Sequence, residues 1–79
     1  MPDRLVELFS LTLNIEPGRL TDDTSPANTE AWDSLANMLL IAGIEETYEV
    51  ELTTSEIESM KCLGDVRGVL SRHGVDADA

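Results

Sequence analysis

The sequence predicts an all-α fold: a small four-helix bundle with a long first loop and a short third helix. Three observations carry that expectation. Apolar residues recur at three- and four-residue spacing in separate segments. Helix-capping residues stand at the heads of those segments. No segment alternates long enough to build a sheet, Glu49-Val50-Glu51-Leu52 being too brief. The 79 residues have room for one domain, read as 1–79 with a frayed tail at 75–79. A chain this short buries only about 60% of the surface it exposes when unfolded. Its aromatic residues are Phe9, Trp32 and Tyr48, so Leu, Ile, Val and Met must build most of the core.

Leu5, Leu8, Phe9 and Thr12 share one helical face, widened by Val6 and Leu13, which predicts a first helix from about Asp3 to Leu13. Its acidic start suits the helix dipole, and Asn14 with Pro17-Gly18 punctuates its end. The connection from Glu16 to Trp32 is rich in Thr, Asp, Ser, Pro and Asn, with Leu20 and Trp32 as expected anchors. Loops of that length in a small domain are often functional. Asp33 is a good N-cap for a second helix whose buried face is expected to run through Leu35, Met38, Leu39, Ala42 and Tyr48, flanked by Ile41 and Ile44. Gly43, inside that helix, is expected to admit a closely packed neighbour. Thr53 followed by Glu56 reads as a capping box for a short third helix, about Thr54 to Met60. Leu63, Val66 and Leu70 then mark a fourth helix that stops near Gly74.

The formal charge is −11, from 16 acids against 5 Lys and Arg. Between Leu20 and Met60 there are ten acids and no Lys or Arg. Phosphate backbones and anionic membrane surfaces would repel that stretch, so neither nucleic acid nor membrane is expected as a partner. A basic protein patch would be attracted to it, although acids also serve plain solubility. Cys62 is the only cysteine, which fits a reducing compartment. The start Met1-Pro2-Asp3-Arg4 lacks a signal pattern, and the apolar run Met38 to Gly43 is too short to span a bilayer. A cytoplasmic monomer is expected.

Enzyme chemistry finds little support. His73 is the only histidine, no cysteine cluster joins it, and Asp22-Asp23 lacks the pattern of a calcium loop, so no metal site is expected. Ser34 lacks the flanking glycines of a nucleophile elbow, and His73, at the far end of the last helix, is expected to face solvent. Cys62 reads as a buried or half-buried thiol of the packing. No catalytic residue is assigned.

Trp32-Asp33-Ser34-Leu35 stands out at the junction of the long loop and the second helix. A serine at a helix start is ordinarily the cap. Here Asp33 already fills that role, leaving the Ser34 hydroxyl in the first turn. A phosphate ester there would face free backbone amides and the positive end of the dipole.

Asp33-Ser34-Leu35 resembles the Asp-Ser-Leu motif of acyl carrier proteins, and the likeness extends through Trp32 to Leu52. It includes an acidic pair before an aromatic, Glu45-Glu46 and Tyr48, together with chain length, the long first loop and the acidic balance. The resemblance implies that Ser34 carries 4′-phosphopantetheine, flanked by Asp33 and Leu35. It implies loading by a phosphopantetheinyl transferase, and acyl-transferring or condensing partner enzymes with basic docking patches. Ala36 and Leu39 stand where many members have acids, which moves the candidate partner-binding acids to Glu45, Glu46 and Glu49. Met38, Ala42 and Met60, with Leu35, are candidates to contact the arm or acyl group, though core packing is the stronger expectation for each. The Trp-Asp-Ser-Leu form looks like discrete carriers of bacterial secondary-metabolite pathways, polyketide among them. A fatty-acid carrier, an aminoacyl or peptidyl carrier, a cofactor-free acidic interaction module and a small hydrolase using Ser34 are the alternatives.

Overall fold

The computed structural model describes residues 3–75. In chain order it contains α1 (Arg4–Leu13), a single 3-10 turn at Pro17–Arg19, α2 (Ser34–Tyr48), α3 (Thr54–Ser59) and α4 (Leu63–Arg72). No strand occurs among the described residues. The all-helical expectation therefore holds.

Local chemistry sets the helix ends. The Asp3 carboxylate accepts from the Val6 amide at 2.8 Å and opens α1. Asn14 closes it in the left-handed region at φ 57°, a conformation asparagine tolerates better than most residues. Thr53 and Glu56 form the reciprocal capping box of α3. That helix ends one residue earlier than expected, with Met60 as its C-cap.

The core is built by Leu5, Phe9 and Leu13 from α1, by Ala36, Leu40 and Ile44 from α2, and by Leu63, Val66, Val69 and Leu70 from α4. Leu20, Trp32 and Leu52 complete it from the connections, confirming Leu20 and Trp32 as anchors of the long loop. α3 buries no residue fully; Ile57, half-buried, is its apolar hold on the bundle. Gly43 admits Leu8 as expected: a Cβ there would lie 2.8 Å from Leu8 Cδ1.

The buried face of α2 corrects the sequence reading. Leu35, Met38 and Leu39 are 67%, 68% and 55% exposed, Ala42 is exposed as well, and Tyr48 is half-buried. The helix is apolar nearly all round in its first three turns. Two stripes therefore satisfy helical spacing, and α1 and α4 pack on the one containing Ala36, Leu40 and Ile44.

The long loop is tied down at several points. The amides of Leu63 and Gly64, at the start of α4, donate to the carbonyls of Thr24 and Asp22 at 2.9 and 3.0 Å. The Arg67 guanidinium bridges Asp3 at 2.8 Å and Asp22 at 2.9 Å. Burial opposes its charge, but the hydrogen bonds to Asp3 and then Asp22 outweigh that and hold its pKa above the ordinary value. Val75 is half-buried and donates to the Leu70 carbonyl, while 76–79 lie outside the described residues.

Gly68 lies inside α4 on an exposed face, and a Cβ added there would meet nothing within 4 Å. Gly68→Ala is expected to stabilise the fold by about 0.5–1 kcal/mol through helix propensity, read as a raised thermal midpoint. An unchanged or lowered midpoint would contradict that reading.

Candidate functional site

Trp32 is the root of the site. It is 3% exposed and meets Phe9 edge-to-face, with ring centroids 5.1 Å apart and an interplanar angle of 80°. Its indole Nε1 donates to Asn37 Oδ1 at 3.0 Å, so the last residues of the loop are pinned to the second turn of α2. Asp33 follows in extended conformation, and its Oδ1 accepts from the Ala36 amide at 2.9 Å. The Asn37 amide donates to the Asp33 carbonyl at 2.8 Å.

Ser34 is the first helical residue of α2 and is exposed. Among the described residues its hydroxyl has no hydrogen-bond partner, and neither do the amides of Ser34 and Leu35. Two other serines differ: the Ser10 hydroxyl donates to the Ile15 carbonyl at 2.6 Å and the Ser59 hydroxyl to the Glu56 carbonyl at 2.7 Å. Beside Ser34 lies an open depression of about 290 Å³ lined by Pro26, Trp32, Asp33, Ser34 and Asn37. An exposed hydroxyl beside unpaired amides at a positive helix end fits a phosphodiester.

The remaining candidates fall in two groups. Leu35, Met38 and Ala42 lie on the exposed stripe of α2 next to Ser34, whereas Met60 is half-buried at the end of α3. The expectation of core packing fails for the first three and holds in part for Met60. Glu46 is exposed farther along the same stripe, and Glu49 is exposed just past it, as the left-handed C-cap of α2. Glu45 is half-buried, and its Oε2 accepts from the Leu52 amide at 3.0 Å, which commits that oxygen to holding the α2–α3 connection.

His73 is exposed, as expected, and its Nε2 lies 2.8 Å from Glu56 Oε2, joining the end of α4 to α3. Cys62 is half-buried, as expected. Among the described residues no group of His, Cys, Asp and Glu is arranged to hold a metal ion. The Glu56 carboxyl lies below its ordinary value of 4.5, chiefly because the Thr53 amide donates to it, with burial opposing and His73 assisting. A carboxyl whose folded value is depressed contributes stability above its unfolded value and loses it as pH falls through the folded one. Acidification is therefore expected to loosen α3, with the Thr53 amide resonance titrating at a midpoint below 4.5. A midpoint at or above that value would contradict the capping role.

The family model for the phosphopantetheine attachment site matches residues 3–70. The chain belongs to the acyl carrier protein family. The carrier is 29% identical over 73 residues to acyl carrier proteins of Clostridium perfringens strains, spanning 92% of this chain and 96% of theirs. It also resembles the solution structure of holo acyl carrier protein from Geobacter metallireducens, with a TM-score of 0.77 and 29% identity over 86% of this chain and 78% of that one. The carrier is not an enzyme, and its cofactor is covalently attached 4′-phosphopantetheine. No helix of the described residues is long and apolar enough to cross a membrane.

Sequence reasoning missed Asn37 and Pro26. Neither carries a local signal, because the first matters only through a contact with Trp32 and the second only through the folding of the loop.

Proposed function

We propose that Ser34 is the attachment residue, and that residues 1–79 act as one discrete cytoplasmic carrier domain, monomeric, in polyketide or another secondary-metabolite pathway, or in fatty-acid synthesis. The observation behind the assignment is the Ser34 hydroxyl itself: exposed, unpartnered and one residue beyond a capping aspartate. When bound, the arm supplies a terminal thiol that holds an acyl group as a thioester. The protein's own part is to present the oxygen, to face the phosphodiester charge with the amides of Ser34 and Leu35, and to keep the helix end rigid through Asp33 and Trp32. Asp33 contributes as the cap, since its carboxylate already accepts from Ala36.

Incubation with coenzyme A and a broad-specificity phosphopantetheinyl transferase tests the assignment. Intact mass should rise by one phosphopantetheinyl group, mapped by peptide analysis to Ser34. No gain where a control carrier is converted, or a gain on another serine, sinks it.

The exposed face of α2 is the proposed docking surface for the transferase and for acyl-handling enzymes. Leu35, Met38, Leu39 and Ala42 supply an apolar patch beside the attachment oxygen, and Glu46 and Glu49 continue it with charge suited to a basic rim. Met60 and Glu45 are half-buried, Met60 against the core and Glu45 on the Leu52 amide. Glu46→Gln and Glu49→Gln are each expected to lower transferase kcat/KM by about 1.5- to 5-fold at low salt, the range of an exposed ion pair. The double variant should flatten the salt dependence, because exposed charges are screened beyond about 10 Å at 0.1 M. An unaltered salt profile would remove the acids from the surface.

A further inference from the structure

The side-chain amide of Asn37 is held in one orientation. An indole N–H is a donor and nothing else, so the atom it meets at 3.0 Å must be the Asn37 oxygen. The Nδ2 group, with its two hydrogens, is thereby turned away from the Trp32 N–H, and among the described residues nothing accepts from it. Asn37 is half-buried and three residues beyond Ser34, so the two side chains are neighbours on α2. Both line the same open depression of about 290 Å³, together with Pro26 of the long loop, Trp32 and Asp33.

We propose that Asn37, oriented by Trp32, donates through Nδ2 to a non-bridging oxygen of the phosphodiester on Ser34, and so seats the first part of the arm in the depression between Pro26 and Trp32. The inference rests on Ser34 being the attachment residue. It adds a specific contact and a direction: the inner arm rests against the loop, away from the apolar docking stripe. An amide is well suited to this role. It is neutral, so it does not neutralise the phosphodiester, and its hydrogen bond to a charged oxygen is stronger than one between neutral groups. The seat is also open on one side, so a partner enzyme can draw the arm out.

The test compares apo and loaded protein by NMR. The chain has three side-chain amides, at Asn14, Asn28 and Asn37, and no glutamine, so each is resolved and two serve as references. Loading should move one Asn37 Nδ2 proton downfield, leaving Asn14 and Asn28 in place. Asn37→Asp separates the donor from the brace, because a carboxylate still accepts from the indole but has nothing to donate. Loaded Asn37→Asp and Asn37→Ala should both show a shifted and narrowed phosphorus resonance relative to loaded wild type. Trp32 Nε1 should keep its hydrogen-bonded shift in the Asp variant only. If the Asn37 amide does not respond to loading, or if the phosphorus resonance of loaded Asn37→Asp matches wild type, the seat does not exist. Wild type that acquires no mass with the transferase overturns instead the assignment of Ser34, so the two failures are told apart.

Discussion

Ser34→Ala is expected to abolish loading by the transferase while leaving the fold intact. The substitution removes the hydroxyl proposed to be esterified, and the first turn of α2 holds no other. Stability should change by no more than about 0.5 kcal/mol, because the site is exposed and alanine is the better helix former. The measurement is intact mass after transferase treatment, beside a thermal melt of the same sample. A folded variant that still gains one phosphopantetheinyl group would place the attachment on another residue. A variant that melts far below wild type would show that Ser34 matters to the bundle in a way its exposure does not reveal.

The second large effect is expected at Trp32. Trp32→Ala empties the junction where the loop, α1 and α2 meet, and large-aromatic-to-alanine changes in cores cost about 3–5 kcal/mol. The edge-to-face contact with Phe9 and the bond to Asn37 are lost with it. Small domains hold about 5–15 kcal/mol in total, so much of the margin disappears. Urea unfolding followed by far-UV circular dichroism reads this directly, since the variant retains no tryptophan for fluorescence. Trp32→Phe separates the contributions by keeping an aromatic ring and deleting the indole N–H, with a smaller expected loss of about 1 kcal/mol from the hydrogen bond alone. A loss below about 1 kcal/mol for Trp32→Ala would mean that the junction repacks around the gap. The substitution should also slow loading of Ser34, because the helix end is then held by Asp33 without its buried root.

The features legible from sequence are those decided within a few residues. Asp33 and the Thr53–Glu56 pair were readable because a cap and its amide lie three positions apart. Trp32 and Leu20 were readable as anchors because large apolar residues in a polar loop have few other uses. The face of α2 was not. Ala36, Leu40 and Ile44 and the stripe through Leu35, Met38 and Ala42 obey the same helical spacing, and only the position of α1 and α4 chooses between them. That ambiguity is itself informative, since the unchosen stripe is the apolar surface beside Ser34. The partners of Arg67, the His73–Glu56 contact and the orientation of Asn37 span longer separations or depend on where the loop settles. No local pattern encodes them.

The hydrogen bonds from Leu63 and Gly64 to the carbonyls of Thr24 and Asp22 give the long connection a second identity. The first turn of a helix always has amides without intrahelical acceptors, and α4, with no side-chain cap at Cys62, borrows its acceptors from a segment some forty positions upstream. Lifting that segment away strands two donors, and fraying α4 strands two carbonyls. The two motions are therefore expected to be coupled. What looks on paper like slack between helices is bonded to the head of α4 through Asp22 and Thr24, and Ser34 follows where that connection enters α2.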